Sequence, residues 1–422
     1  MKVCCICTFF PPTTGGSETH TLSFVKYLAD KGHDVSVIVS RSRKAELRAQ
    51  GYDEEIIKKA FKEKIFLPEI EEVPVYNITS HGLTSLLDIR KKIGEIEKTE
   101  PIDVFDVHTS FLLPALVFKK RTTILSLHFY EPSCPRFGWP QKFMQDHFIL
   151  DPSHAFYSYN KCVLQKRCVS TADYIRWRIV RFYALNKVDR IVVKKKNLKD
   201  LFMKTGVEEH KISVIPYWID AEAIHNKSMD KNNMVKIPQI VNSDFVFTSV
   251  GRLVPPKGPI LLLKAFELVT EKFQNIKLMY IGDGTLRKRV EQLADKMNIR
   301  DKIILMGRIP HESIIKFFSI SHAFVHTQRY TNYGWALLET MATGKPIIAT
   351  NVGPTSDILR NGYNALIAEP NPESLASKMI QLASNRKLAR ELGVHALKTV
   401  KEKHSYKNLE KYELLLKDCL AQ

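Results

Sequence analysis

Short β-rich runs alternate with helical segments along most of the chain, and this alternation restricts its fold more than any other feature. The first 40 residues give strand, glycine-rich loop, helix and strand, and Gly32 is placed to end that helix. A second series of the same kind begins near residue 245. Strand–helix–strand units produce parallel sheets that are covered on both faces. The predicted fold class is therefore α/β, with doubly wound, Rossmann-like parallel-sheet domains.

The chain is too long for a single core. At 422 residues, two or three domains are expected, and a less regular stretch, 217–244, separates the two series. We predict one domain over residues 1–216 and a second over 217–405, facing each other, with a last amphipathic helix within 406–422. No apolar run approaches the ~20 residues that a membrane-spanning helix needs. We therefore expect a cytoplasmic protein.

The formal charge of +18 is large and favours anionic partners such as nucleotides, phosphorylated lipids, nucleic acid or an acidic membrane surface. No nucleic acid partner is expected, because the basic residues are scattered and no recognised nucleic-acid motif is present. The segment 173–187 is basic and aromatic at helical spacing, and the lysine run Lys194–Lys196 follows it. This pattern fits peripheral contact with the cytoplasmic face of an anionic membrane and a core-facing helix with solvated arginines equally well.

We expect no disulfide framework among the seven cysteines, because an odd number without a recognisable secretory signal argues against one. Three of them, Cys4, Cys5 and Cys7, belong to the first predicted strand and are interpreted as core residues. Three others share one later segment: Cys134, Cys162 and Cys168. These could bind Zn²⁺ with His147 or His154 as fourth ligand, but their spacing is wider than usual, and unpaired structural thiols are the favoured interpretation. No metal site is therefore predicted.

In doubly wound sheets ligands bind outside the carboxyl ends of the strands, and unusual residues fall in the loops predicted there. Gly15 and Gly16 follow the first strand and precede a helix. They permit close approach of a phosphate, or they simply make a tight turn. Arg252 and Lys257 share the loop VGRLVPPKG and could clamp a diphosphate, although isolated basic residues are commonly solvated surface charges.

Two histidines and one carboxylate complete the candidates. His128 ends a predicted strand before a long aromatic loop, and His108 ends another strand, but a lone histidine is more often structural than catalytic. Glu339 follows the apolar run Trp335–Leu338 near the start of a predicted helix. A carboxylate there can accept paired hydrogen bonds from a ribose diol, or it can cap local backbone N–H groups.

Many segments, in order, resemble the retaining glycosyltransferases of family 4, also called glycosyl transferases group 1, which have the two-domain GT-B fold. The matching stretches are PPTTGGSETH, KGHDVSVIV, VDRIVV, KISVIPYWID, VGRLVPPKG, GDGTLRKRVEQL, YGWALLETMATGKPIIATNVGP and NGYNALIAEP. They are spread over nearly the whole chain, and the run from Tyr333 to Pro354 is the most specific. The resemblance implies an acceptor-binding N-terminal domain, a donor-binding C-terminal domain, an interdomain cleft and a last helix that returns to the N-terminal domain.

The resemblance also implies roles for individual residues. The catalytic residues implied are His128, near the transferred sugar, with Arg252 and Lys257 on the diphosphate. The donor-binding residues implied are Gly15, Gly16, Arg252, Lys257, Gly282, Arg308, Thr331, Tyr333, Gly334, Trp335, Ala336 and Glu339. The family needs no metal or other cofactor, since the two basic residues do the electrostatic work of a metal. The leaving phosphate is thought to act as base in a front-face attack.

One position departs from the family pattern. The family usually has two glutamates separated by seven residues, and Thr331 replaces the first of them. Threonine offers a hydroxyl but no charge, which leaves sugar choice, rate and activity open. We predict a metal-independent, retaining hexosyltransferase that uses a UDP- or GDP-sugar and an unknown lipid, glycan or small-molecule acceptor. The alternative is a catalytically silent GT-B protein that binds nucleotide sugars or serves as a scaffold.

Overall fold

The computed structural model describes residues 1–108, 121–127 and 185–421, apart from short gaps at 9, 14, 41–43, 50–53, 63–66, 68–69, 81–82, 99–100, 205, 231–234, 329–333 and 353–356. The described residues form two compact units, each built on its own parallel sheet. The first unit takes residues from within 1–218 together with the last helix, and the second takes residues from within 219–406. Two parallel-sheet units confirm the predicted α/β fold class.

The first unit contains a seven-stranded sheet in the order β3-β2-β1-β4-β5-β6-β7. Its strands are β1 (Lys2–Cys7), β2 (Asp34–Ser40), β3 (Val75–Ile78), β4 (Val104–His108), β5 (Thr122–Leu127), β6 (Arg190–Val193) and β7 (Ile212–Val214). Its described helices are α1 (Gly16–Asp30), α2 (Lys44–Ala49), α3 (Glu54–Ala60), α4 (Leu83–Ile96), α5 (Lys196–Lys204) and, at the end of the chain, α13 (Lys407–Leu420). The strand order reverses between β1 and β4, the position at which such sheets bind ligands.

Apolar residues fill the strands of this sheet without alternation, because parallel sheets are covered on both faces. In β1, every residue from Val3 to Cys7 is at most 1% exposed. This burial confirms that Cys4, Cys5 and Cys7 are core residues. Burial also raises the pKa of the Cys4 thiol to about 12, so the thiol stays protonated and packs as a small hydrophobic group.

Helix α1 ends as the sequence predicts. Gly32 has φ of 77°, in the left-handed region that glycine adopts without strain. Its N–H donates to the carbonyl oxygen of Ala29 at 2.8 Å, and the N–H of His33 donates to the carbonyl oxygen of Leu28 at 3.1 Å. These two bonds form a Schellman motif, which satisfies carbonyl groups at the end of the helix and turns the chain into β2.

Two lysines of the run that the sequence suggested for a membrane-facing patch are buried instead. Lys194 is 1% exposed and Lys195 is 3% exposed, because they directly follow the buried strand β6. Lys196, the first residue of α5, keeps an exposed side chain. The run therefore presents one lysine rather than three, while residues 173–184 lie outside the described residues. Among the described helices, none combines the length and the apolar character needed to cross a bilayer.

The second unit contains a six-stranded parallel sheet in the order β10-β9-β8-β11-β12-β13. Its strands are β8 (Phe245–Val250), β9 (Ile276–Ile281), β10 (Ile303–Leu305), β11 (Ala323–His326), β12 (Ile347–Thr350) and β13 (Leu366–Ala368). Its described helices are α6 (Ala221–Met229), α7 (Pro259–Thr270), α8 (Arg287–Lys296), α9 (His311–Ser319), α10 (Trp335–Ala342), α11 (Pro372–Ser384) and α12 (Arg386–Lys403). The strand order reverses between β8 and β11, so the loops that follow these two strands are the expected ligand-binding position.

Glycine allows α12 to pack directly on the backbone that follows α10. Gly393 is a buried residue of α12. A Cβ built on it would lie less than 3.0 Å from the carbonyl oxygen of Gly344, a distance that real Cβ atoms do not show. Because the obstructing atom belongs to the backbone, a side-chain rotation cannot relieve the clash.

Gly393→Ala is therefore expected to lower the free energy of unfolding by about 3 kcal/mol, as overpacking of a core does. Urea denaturation of the purified protein measures this change. Gly94→Ala, in α4, is the matched control, because no atom lies within 4 Å of its added Cβ. The control should be neutral or up to about 1 kcal/mol more stable, since alanine favours helix over glycine. Equal stability of the two variants would contradict the packing argument.

Candidate active site

The loop after β8 carries Arg252 and Lys257, and a residue that follows β11 holds this loop in place. A 3₁₀ turn at its end, Pro255–Lys257, is followed by Gly258 with φ of 63°. A Cβ on Gly258 would lie less than 3.0 Å from the carbonyl oxygen of Thr327. The Thr327 hydroxyl lies 2.8 Å from the carbonyl oxygen of Lys257 and 3.1 Å from that of Gly258, and it donates to them. These contacts fix the backbone position of Lys257.

The Lys257 ammonium lies beside the N-terminus of α10. Gly334 is the N-cap residue of that helix, and a Cβ built on Gly334 would lie 4.0 Å from Lys257 Nζ. Glycine has no side chain with which to cap the first N–H groups of the helix. The partial positive charge of the helix end and the ammonium therefore act on the same small volume, which favours an anion there.

The charges around Lys257 also favour an anion. Burial, and then the nearby charge of Arg252, lower the pKa of Lys257 to about 8. Lys257 is half-buried, whereas the side chain of Arg252 is exposed. Two cations that repel each other in the free protein are stabilised when an anion binds to both. A diphosphate has the charge and the spaced oxygen atoms for this arrangement.

His326 and Thr327 line the same recess as Arg252 and Lys257, and sequence reasoning did not select them as site residues. His326 ends β11, and its Nε2 lies 2.9 Å from the hydroxyl oxygen of Thr340. Burial, and then the charge of Lys257, lower the pKa of His326 to about 3, so its ring is neutral at ordinary pH. Both residues reach this recess through the pairing of β11 with β8 at the switch point, which the tertiary fold supplies and no local stretch of sequence shows.

Glu339 lies in the second turn of α10, beside residues that face the core. Leu337 and Leu338 are at most 1% exposed, and Glu339 itself is 5% exposed. Its Oε1 contacts Nε2 of His311, the first residue of α9. The predicted helix start with inward-packing apolar neighbours is confirmed, whereas the histidine partner was not foreseen. Ribose binding by Glu339 stays a prediction.

Gly282 allows the loops after β8 and β9 to pack closely. It has φ of 139°, and a Cβ on it would lie less than 3.0 Å from the carbonyl oxygen of Gly251. Its N–H donates to the carbonyl oxygen of Gly307 at 2.8 Å, which joins the loop after β10 to the other two. Arg308 follows Gly307 and is half-buried. The structure thus brings Gly282 and Arg308 to the same end of the sheet as Arg252, while donor contact by either stays a prediction.

In the first unit, Gly15 and Gly16 begin α1 as predicted, with Gly15 as the N-cap residue. Glu18 lies in the first turn, is 7% exposed, and places its Oε2 2.5 Å from where a Cβ on Gly15 would lie. This carboxylate opposes the attraction of the helix N-terminus for a phosphate, whereas it can accept hydrogen bonds from hydroxyl groups. The turn therefore suits a sugar better than a diphosphate, and its contact with a donor stays a prediction.

Two family models match the chain in succession. Residues 14–223 match Glycosyltransferase Family 4, and residues 230–399 match Glycosyl transferases group 1. The chain belongs to glycosyltransferase family 4. The first match includes Gly15 and strands β2 to β7 of the first sheet. The second match includes the whole second sheet together with Arg252, Lys257 and Glu339. Both halves of this glycosyltransferase are therefore assigned to the family.

Related proteins agree with this assignment. An uncharacterised glycosyltransferase of Methanocaldococcus jannaschii is 24% identical over 97% of this chain and 96% of its own length. The poly(ribitol-phosphate) alpha-N-acetylglucosaminyltransferase of Staphylococcus aureus is 29% identical over 43% of this chain and 38% of its own length. The crystal structure of Anabaena HepE in complex with UDP and glucose has a TM-score of 0.68 at 15% identity and covers 98% of each chain. The structural likeness shows that this glycosyltransferase has the GT-B fold.

Several predicted site residues of the glycosyltransferase lie outside the described residues. These are His128, Thr331, Tyr333, Cys134, Cys162 and Cys168, with the two candidate zinc partners His147 and His154. Their roles stay predictions, including the consequence of Thr331. Trp335 and Ala336 are half-buried and follow Gly334 in the first turn of α10, while their contact with a donor stays a prediction.

Proposed function

We propose that this glycosyltransferase moves a sugar, with retention of anomeric configuration, from a nucleotide-diphosphate donor to a lipid, glycan or small-molecule acceptor. One observation carries the proposal: Arg252, Lys257 and the N-terminus of α10 meet at the switch point of the second sheet, with Glu339 on the same helix. A UDP-hexose is the first choice of donor. The presence of UDP and glucose in the HepE crystal supports that choice.

In the proposed reaction the bond between the anomeric carbon and the diphosphate oxygen breaks while the acceptor oxygen bonds to the same face of that carbon. The acceptor proton passes to the departing phosphate oxygen. Arg252 and Lys257 neutralise the charge that grows on the diphosphate, and the helix N-terminus adds fixed N–H donors. We propose that these groups supply the stabilisation for which other transferases use a metal ion, so that no metal is required.

We further propose that the enzyme works in the cytoplasm at the anionic face of a membrane. The net charge of +18 supports this location, because basic surfaces are attracted to anionic headgroups. A lipid-linked acceptor would be reached there without release into solution. Binding to vesicles with and without phosphatidylserine separates this location from a purely soluble one.

Thermal unfolding with a panel of UDP-glucose, UDP-N-acetylglucosamine, GDP-mannose and ADP-glucose tests the proposed function. One donor should raise the melting temperature of the wild type, and Arg252→Ala and Glu339→Ala should lose that shift, since a hydrogen bond to a charged group contributes about 1.5–3 kcal/mol. Arg390→Ala, at an exposed arginine of α12, should respond like the wild type. If no donor raised the melting temperature of the wild type, the proposed function would be wrong. Binding without transfer or hydrolysis would favour the silent scaffold.

A further inference from the structure

We propose that His311 is a positioning residue of the donor site, which holds one oxygen of the Glu339 carboxylate so that the other faces the ribose of the nucleotide. This inference rests on the proposed function, because it assumes that Glu339 binds the ribose hydroxyl groups. His311 acts through Glu339 and does not itself touch the substrate. Its expected effect is therefore a preference for ribonucleotides over nucleotides that lack the 2′-hydroxyl.

The geometry of the carboxylate is the first support. Oε1 of Glu339 contacts Nε2 of His311, and no second hydrogen bond to this carboxylate occurs within the described residues. The Glu339 side chain is only 6% exposed, whereas that of His311 is 46% exposed. The histidine thus occupies the solvent side of one oxygen and leaves Oε2 to another partner. A mostly buried carboxylate needs such partners, since burying an ionised carboxylate without them costs far more free energy than burying a neutral polar group.

The rigidity of α9 is the second support, because a positioning residue must itself be held. His311 lies at the first turn of α9, and the other end of that helix is tied to the chain that follows α10. Lys345 Nζ donates to the carbonyl oxygens of Phe318, Ser319 and Ser321, each at 2.6 Å. Helices α9 and α10 are therefore connected at both ends, by His311 to Glu339 and by Lys345 to the end of α9. The imidazole of His311 is therefore carried by a helix that is itself held in position.

The chemistry of the carboxylate allows both partners at once. An ionised carboxylate has about four acceptor positions on its two oxygen atoms, of which a ribose diol uses two and His311 uses one. A carboxylate already held in one orientation loses less conformational freedom when the diol binds. Without His311 the Glu339 side chain can turn away, and the diol must then order it. Removal of His311 should therefore weaken the binding contributed by the ribose hydroxyl groups and leave the binding contributed by the diphosphate unchanged.

Calorimetric titration of UDP and 2′-deoxy-UDP against wild type, His311→Ala, His311→Gln and Glu339→Ala tests this inference. The wild type should bind UDP about tenfold more tightly than 2′-deoxy-UDP, the value of one hydrogen bond to a charged group. His311→Ala should reduce this ratio to about twofold, and Glu339→Ala should remove it. His311→Gln should restore much of it, because an amide N–H can donate to the same oxygen. His395→Ala, at a histidine of α12 that stacks on Tyr363, is the control and should keep the full ratio.

A purely structural role of His311 would weaken both nucleotides equally and leave the ratio unchanged. A full ratio in His311→Ala would therefore overturn this inference while the proposed function stands, provided that Glu339→Ala still loses the preference. Binding of none of UDP, GDP and ADP by the wild type would overturn the proposed function and this inference with it, and binding of GDP or ADP alone would move the same comparison to that nucleotide and its 2′-deoxy form. The two failures are distinguishable because the second one appears before any variant is compared.

Discussion

Lys257→Met is expected to lower the rate of sugar transfer by about 10²–10³-fold, because one fixed donor is lost from the charge that develops on the leaving diphosphate. The Lys257 backbone is held by Thr327, so methionine can follow nearly the same path without supplying charge. The loss should therefore appear in the catalytic rate as well as in donor affinity. Initial rates of nucleotide release, measured with the donor that the thermal panel identifies, give both values.

The pH dependence of donor binding tests whether the positive charge of Lys257 is what binds the diphosphate. Its pKa is lowered to about 8 in the free protein, and a bound diphosphate favours the ammonium form. Donor affinity is therefore full below that pKa and falls as pH rises through it, by roughly tenfold between about pH 7 and about pH 9. Lys257→Arg stays charged over this range and should give a flat profile. A wild-type profile that is equally flat would contradict the assignment.

The strands and helices could be predicted because each one has a recognisable pattern of apolar residues within its own stretch of sequence. The runs VFDVH, TTILSL and RIVV form β4, β5 and β6, since continuous apolar stretches between helical patterns favour buried parallel strands. The neighbours of each strand could not be predicted in this way. The pairing of β11 with β8 depends on the crossovers, and it alone brings Thr327 to Lys257, 70 residues away in sequence.

The candidate site shows the same division between local and distant information. Arg252, Lys257 and Glu339 were predictable from turns and helix starts in their own segments. His311 was not, because it reaches Glu339 across 28 residues and through the packing of two helices. A prediction from one sequence finds groups that a local motif presents, and it misses the partners that the tertiary fold supplies.

The lysine run after β6 shows how charge alone misleads. Lys194 belongs to a basic run for which peripheral membrane contact was one of two open interpretations, yet its Nζ lies 5.1–5.8 Å from the ring centroids of Tyr217, Trp218 and Tyr412. These rings come from segments more than 20 residues away, so the sequence around Lys194 does not predict that they surround its side chain. Cation–π contacts offset part of the desolvation of an ammonium group but do not replace a counter-charge.

Asp106 is the candidate for that counter-charge. It lies in β4 with no exposed surface. Its Oδ1 accepts a hydrogen bond from the Tyr412 hydroxyl at 2.9 Å, and its Oδ2 lies 2.9 Å from Nε2 of His108. Burial, and then the charge of Asp106, raise the pKa of Tyr412 well above its ordinary value, so the phenol remains a donor. One carboxylate thus connects the sheet with α13 and the histidine at the end of β4.

Asp106→Ala is accordingly expected to lower the free energy of unfolding by about 3–5 kcal/mol, the cost of breaking a buried charge network by removing one partner. The Tyr412 hydroxyl loses its acceptor, and Lys194 loses the charge that opposes its desolvation. Burial lowers the pKa of Lys194 to about 7 while Asp106 raises it, and Nζ has no hydrogen-bond partner among the described residues. Urea denaturation followed by tryptophan fluorescence measures the change, with Asp88→Ala, at an exposed position of α4, as a control within about 0.5 kcal/mol.

The double variant Asp106→Ala/Lys194→Met tests whether the unbalanced charge of Lys194 causes the loss of stability in Asp106→Ala. Methionine has about the length of lysine and no charge, so it should pack among the three rings without needing a counter-charge. If the loss in Asp106→Ala comes from the uncompensated ammonium, the double variant should recover about half of it, because replacing a whole buried pair by apolar groups is often nearly neutral. A double variant as unstable as Asp106→Ala would instead assign the loss to the Tyr412 and His108 contacts, which neither lysine nor methionine at position 194 can replace.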